Sequence, residues 1–392
     1  MKIKEIRCVK VTTPPRERKT KPSRPPWSDD AEVANPMSKF ERYKRHRSSW
    51  LPDKWPAVWV QVIAEDGTWG LGMTSFGRAV EAIIEDHFAP RLIGEECLAI
   101  EKCWDMMSRM SKPYGTVGLA SAAISGVDLA LWDLAGKLQH KPVYDLLGGP
   151  ARNRIEAYAT GNDVDWQAEV GFRAVKLACP HGPTDGIKGL EANEELVAAA
   201  RETMGDSGEV MLDCYMAFDV EYTVRLAERL RPYRLAWIEE YLVPEDLEGH
   251  IAVRNRLPWQ TLATGEHMYG THPFAFLADR HAVDILQPDI HWVGGLTACR
   301  KICALAEAAG IEVILHGGGL SQYGLHLTAA MPNTPRAEYW GLPPGVPPDE
   351  VKTPWGPAIV ENGSIFPTPG DGFGLEIAEG EIQPNPSLRR GK

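Results

Sequence analysis

The sequence predicts an α/β barrel behind an N-terminal α+β unit. Three observations lead there. From Arg154 onward, short apolar runs alternate with helical periodicities of about ten to fifteen residues, the rhythm of parallel β/α units. Ahead of them, residues 2–12 and 57–75 read as strands followed by helices. And 392 residues exceed what one hydrophobic core usually organises.

The second strand region turns at Asp66-Gly67, a strong hairpin signal. Helical periodicity follows over Ala79 to Leu92, Ile100 to Met110 and Val117 to Leu138, so residues 1–125 form the α+β unit. A long proline- and arginine-rich connection, 14–56, interrupts it. Loops of that length act as lids or binding loops, and this one is expected to order when a ligand binds. Barrel strands are predicted at Ile155 to Thr160, Ala174 to Cys179, Val210 to Asp213, Leu235 to Glu239, Thr261 to Gly265, Val283 to Gln287, Glu312 to Leu315 and Ala337 to Tyr339. The barrel covers 126–345, and the tail 346–392, rich in proline and glycine, returns to the first unit.

Net charge is −11 with no basic stripe, which disfavours nucleic acid as a partner. The N-terminus alternates like a strand instead of resembling a signal peptide, and no segment reads as a membrane span, so a soluble cytoplasmic protein without a membrane partner is expected. Seven scattered cysteines suit a reducing compartment, and Cys299 and Cys303 read as packing residues. Gly70-Leu71-Gly72 lacks the third glycine and the helix of a dinucleotide fingerprint.

In such a barrel the chemistry sits at the carboxyl ends of the strands. Strands three, four and five end in Asp213, Glu239 and Glu266. Any one alone reads as a cap or turn residue, but three on successive strands would repel one another strongly without a cation. All-oxygen ligands with room left for water suit Mg2+ better than Zn2+. Glu240, the neighbour of Glu239, points the other way and belongs to structure or to an adjoining hydrogen-bond ring. Strands six and seven end in Asp289 and His316, an imidazole with a carboxylate to orient it and raise its basicity, so His316 is the candidate base. Glu338 on strand eight faces the early strands, where a protonated carboxyl could donate to an oxyanion.

The ordered set D, E, GEH, QPD, H and E, with the segment GVDLALWDLAGKLQHKPVYDLLGG before it, resembles the enolase superfamily and its mandelate racemase-like branch. Within that branch ANPMSKF, YATG, LDCY, WIEE, GEHMYGT and QPDIHWVGGLT are similar to the L-rhamnonate dehydratase family. The resemblance implies a modified TIM barrel, (β/α)7β, whose capping domain the C-terminal tail completes. It implies Mg2+ on Asp213, Glu239 and Glu266, His316 with Asp289 as the base, and Glu338 as the donor to an enolate. The implied reaction removes the proton α to a carboxylate and expels the 3-hydroxyl of a sugar acid, giving a 2-keto-3-deoxy acid. Many relatives end strand two with Lys-x-Lys; here Lys176 is followed by Leu177 and Ala178, so the base on the opposite face is missing and two-base racemisation is disfavoured. Lys176 either contacts the substrate carboxylate or pairs with a metal-binding carboxylate; His181 either reaches substrate hydroxyls or is a loop residue. Arg47 aligns with a substrate-contacting arginine and also reads as one member of an exposed basic run. The histidine that the family places earlier in this loop is absent, which leaves L-lyxonate and L-mannonate beside L-rhamnonate as substrates. An epimerase or a catalytically silent barrel are the other readings, and analogy adds a homo-oligomer, a tetramer or octamer.

Overall fold

The structure, a computed structural model, describes residues 1–12, 19–29, 31–44, 55–353, 356–357 and 363–385. Its first sheet is built by β1 (Ile3–Val11), β2 (Val58–Ala64) and β3 (Trp69–Thr74), all antiparallel, with Gly67 at φ 90° in the β2–β3 turn. Alternation sorts the residues of these strands between two faces. Ile3, Ile6, Cys8, Val58, Val60, Val62 and Ala64 join the main core, while Val9, Trp59 and Leu71 close a smaller cluster with Ile377 on the other side.

Against the inner face lies the helix Leu119–Gln139. Gly70 and Gly72 explain how it comes so close. A Cβ on Gly72 would stand 2.1 Å from the carbonyl oxygen of Gly126, and one on Gly70 2.1 Å from that of Ala130. The two glycines therefore belong to helix–sheet packing. This helix also corrects the expectation about membrane spans. It is long and apolar enough to cross a bilayer, but 94% of its apolar window is buried within the fold. Its buried carboxylates have protein donors: Asp128 accepts from Thr297 N and Oγ1, and Asp133 from Leu71 N, Phe373 N and Lys137 Nζ.

Eight parallel strands follow: β4 (Ile155–Thr160), β5 (Ala174–Ala178), β6 (Glu209–Asp213), β7 (Ile238–Glu239), β8 (Leu262–Thr264), β9 (Ile285–Leu286), β10 (Glu312–Val313) and β11 (Arg336–Trp340). Each pairs with the next from β4 to β10, and β11 pairs with β4 on its other edge. The seam between β10 and β11 is bridged by Val313 N to Asn333 O at 2.9 Å and Gly319 N to Glu338 O at 2.7 Å. Tyr158, Ala174, Met211, Trp237, Ala263, Ile285 and Ile314 form one interior cluster, which is possible only if the sheet curls back on itself. Several strands are shorter than the sequence suggests. The predicted flanks still bond singly, as Ala236 N to Val210 O and Ile314 N to Leu286 O, outside regular ladders.

The tail joins both sheets: Ser364–Ile365 pairs with β4, and Ile382–Pro384 pairs with β1. Much of the predicted closing loop, over residues 19–29 and 31–44, is docked on the barrel. Arg24 forks onto Asp163 and Asp165, Trp27 N donates to Asp163 Oδ2, Ala34 N to Cys179 O, and Lys44 pairs with Asp185. Every one of these partners lies on the barrel rim. All seven cysteines are free and buried, Cys299 and Cys303 among them.

His250, on the helix Leu247–Arg256, packs edge-on against Tyr241 at 5.0 Å, and neither of its ring nitrogens meets a hydrogen-bond partner among the described residues. Burial lowers its pKa to about 4. Unfolded, the ring titrates near ~6.5, so below that pH the unfolded chain binds a proton that the folded chain refuses. This contribution to stability is complete above about pH 6.5 and is lost as pH falls towards 4, by roughly 3 kcal/mol in all. Urea unfolding measured between pH 7 and 4 is expected to show that slope, and His250→Leu to reduce it; equal slopes in the two proteins would refute the assignment.

Candidate active site

The carboxyl ends of the barrel strands bring the predicted polar residues to one place. Asp213 ends β6, Glu239 ends β7 and Glu266 follows β8. Their carboxylates offer oxygens that all lie within 4.8 Å of one another, and all three side chains are buried. Lys176 points inward from β5 and is fully buried. Its Nζ lies 2.5 Å from Glu239 Oε1, 2.9 Å from Glu338 Oε1 and 3.7 Å from Asp213 Oδ2. Of its two sequence readings, pairing with the acidic cluster is the one this geometry displays.

One ammonium does not balance the cluster. Burial pushes Glu239 up to about 8; Lys176 opposes this, while Asp213 and Glu338 drive it further up. Trp237 Nε1 and Gln287 Nε2 donate to its second oxygen at 3.0 and 2.8 Å, which holds the carboxylate aimed at its neighbours. A buried set of three carboxylate oxygens at this spacing, short of positive charge, fits a hard divalent ion.

His316 stands beside this group. Its Nδ1 lies 2.8 Å from Asp289 Oδ2, and its Nε2 lies 3.3 Å from Glu266 Oε1. Asp289 is itself oriented by His291 N, which donates to its other oxygen at 2.7 Å. Burial opposes charge on the imidazole, but Glu266 and the Asp289 bond overcome it and raise His316 to about 10. A cation that takes up the charge of Glu266 would move this ring towards the range of a base.

Glu338 joins the same cluster through Lys176. Burial alone would raise it, yet Lys176 and His316 hold it down at about 2, helped by Thr160 Oγ1 at 2.5 Å and Gly317 N at 2.7 Å. Both of those hydrogen bonds end on its oxygens, and a proton for donation to an oxyanion is disfavoured by the cationic neighbours. His181 sits on the rim with Nδ1 3.8 Å from Asp185 and 4.0 Å from Glu32, within the docked loop contact. Arg47 lies outside the described residues. On the face where relatives carry a second lysine, Ala178 is bracketed through its backbone by the side chain of Asn162.

Sequence reasoning missed His267. Its Nδ1 lies 2.8 Å from Glu240 Oε2 and its Nε2 3.6 Å from Glu266 Oε1, and these two carboxylates raise it to about 9 against burial. The available signal was its position directly after Glu266, together with the second carboxylate of the WIEE segment. Trp292 was missed too. Its indole lies 5.6 Å from both His267 and His316 and 5.7 Å from Phe76, and its Nε1 donates to Ser75, so the capping unit reaches the catalytic wall.

Residues 51–148 match the family model described as mandelate racemase/muconate lactonizing enzyme, N-terminal domain, and residues 162–381 match that described as enolase C-terminal domain-like. An L-rhamnonate dehydratase of Saccharopolyspora erythraea is 38% identical over 396 residues, covering 100% of this chain and 99% of its own length. The crystal structure of a rhamnonate dehydratase from Gibberella zeae complexed with Mg superposes with a TM-score of 0.88 at 33% identity, covering 100% of this chain and 98% of that one. A racemase from Streptomyces coelicolor with bound magnesium gives 0.75 at 26% identity, over 96% of this chain and 97% of that one.

Proposed function

The chain belongs to the mandelate racemase/muconate lactonizing enzyme family of the enolase superfamily, and from that membership we propose that it is a Mg2+-dependent hydro-lyase acting on a sugar acid of the L-rhamnonate type. Full-length relatives that carry the dehydratase name support the reaction class. One observation supports the choice among reactions: His316, with Asp289 behind it, stands beside the acidic cluster, while Ala178 occupies the strand end from which a base on the opposite face would have to come.

Asp213, Glu239 and Glu266 would hold the ion, which when bound supplies the positive charge that makes a proton α to a carboxylate removable at neutral pH. His316 Nε2 takes the C2 proton, and Asp289 keeps Nδ1–H pointed away from the substrate, so the ring presents the correct nitrogen. The bond from C3 to its hydroxyl then breaks. His316 returns the proton to the departing oxygen, water leaves, and the enol becomes a 2-keto-3-deoxy acid. Lys176 holds Glu239 and Glu338 in place throughout. His267, held by Glu240, presents Nε2 to the same space and is available to a substrate hydroxyl.

The test is a panel of sugar acids with Mg2+, including L-rhamnonate, L-mannonate and L-lyxonate, assayed for 2-keto-3-deoxy products; no turnover of any member would refute the reading. Stripping the protein with a chelator is expected to abolish turnover and to lower the thermal midpoint, both restored by Mg2+, because an ion bound only by the folded state stabilises it by mass action. An unchanged midpoint across a Mg2+ titration would speak against the assigned ligands. An epimerase is the second reading, and solvent deuterium appearing in recovered substrate of inverted configuration would favour it.

A further inference from the structure

We propose that Trp340 and Trp27 form an apolar clamp for the distal end of the substrate, selecting a sugar acid that ends in a methyl or other uncharged group over a diacid. The inference rests on the dehydratase reading for the orientation of the substrate, whose acid end lies at the carboxylate cluster and C2 at His316.

Trp340 stands two residues beyond Glu338 on β11, and one strand register joins it to Thr160 of β4. At ~3.3 Å per residue its Cα stands about 7 Å further along the strand than that of Glu338, above the reacting groups on the mouth side. Its side chain is 48% exposed, unusual for the largest apolar residue, and its indole lies over the residue after the base. A Cβ on Gly317 would be 3.4 Å from Trp340 Nε1. Trp27 enters from the capping unit at the adjoining strand end. A Cβ on Gly161 would be 2.3 Å from Trp27 Nε1, so only glycine leaves room for the indole there.

The two rings thus meet the rim at Thr160-Gly161 and at Gly317, the sector above Glu338. Trp27 is also fixed in place. Its backbone donates to Asp163 Oδ2, and Arg24, three residues earlier, is clamped by Asp163 and Asp165. That arrangement spends the one guanidinium described in this sector on two carboxylates. Among the described residues the rim here therefore offers aromatic faces and two carboxylates against one guanidinium, which favour C–H groups and repel a second carboxylate.

Three probes share the configuration of C2 to C5 and differ only at C6: L-rhamnonate carries a methyl, L-mannonate a hydroxymethyl and L-mannarate a carboxylate. The wild-type protein is expected to prefer them in that order by kcat/KM. Trp340→Ala should raise KM for L-rhamnonate about five- to tenfold, with a smaller change in kcat, and should narrow the gap to L-mannonate; Trp340→Phe should keep most of the preference. Binding is measured in parallel by quenching of tryptophan fluorescence, which L-rhamnonate should produce in the wild-type protein and much less in Trp340→Phe. Absence of turnover with all three probes would refute the dehydratase reading, while the quenching titration would still decide the clamp. Equal KM values for the wild-type protein and Trp340→Ala, equal quenching in Trp340→Phe, no saturable signal in the wild-type protein, or L-mannarate as the preferred probe would each overturn the clamp.

Discussion

His316→Asn is expected to reduce dehydration by about a thousandfold or more, within the range found when a positioned general acid–base is removed. The asparagine side chain keeps the size of the proximal part of the ring and can still bond to Asp289, so the fold and the carboxylate cluster should stay intact. What disappears is Nε2, the ring nitrogen that Asp289 leaves facing the cluster, 3.3 Å from Glu266 Oε1. Among the described residues the strand end opposite carries no base, since Ala178 occupies it. The variant should therefore also lose exchange of the C2 proton with deuterated solvent, while its Mg2+ affinity, read from the thermal midpoint, changes little. Near-normal dehydration by His316→Asn would remove the imidazole from the mechanism altogether.

Lys176→Met should produce the largest loss of stability of any substitution near the site. Lys176 is buried among Glu239, Glu338 and Asp213, and they raise its pKa well above the ordinary value against the cost of burial. Methionine matches its length but leaves those carboxylates without their counter-charge, and breaking a buried ion pair from one side typically costs about 3–5 kcal/mol. Two of the three are assigned as metal ligands, so Mg2+ should restore part of the loss, more in the variant than in the wild-type protein. Denaturant midpoints measured with and without Mg2+ check both statements. A variant as stable as the wild-type protein would mean that the cluster is neutralised some other way.

Much of this was legible because the relevant groups come at the ends of apolar runs. Asp213, Glu239 and Glu266 each close a buried segment, and burial without a partner is a chemical contradiction that sequence alone exposes. The Asp66-Gly67 turn was readable for a similarly local reason, whereas the tail's return to the first sheet was implied by the family resemblance. What escaped depends on backbone conformation or on contacts distant in sequence. Glu240 belongs to an adjoining hydrogen-bond ring as the sequence suggested, but its partner there, His267, and its φ of 45° were not legible. No local rule announces a left-handed glutamate. The lowered pKa of Glu338 depends on Lys176, His316 and Thr160, which come from three other strand ends. Gly70 and Gly72 looked like part of a failed nucleotide motif because the backbone they accommodate, from Gly126 to Ala130, lies more than fifty residues away. Phe76 and Trp292 meet only because the capping unit docks on the mouth.

The pairing of Val9 with Pro384 and of Ile365 with Ile155 has a consequence for biogenesis. The first strand leaves the ribosome long before its edge partner has been translated, so that hydrogen-bonding rim stays bare throughout elongation. Both the barrel and the first sheet thus receive a strand from the last part of the chain to be translated, and each of these closures spans a long stretch of polypeptide.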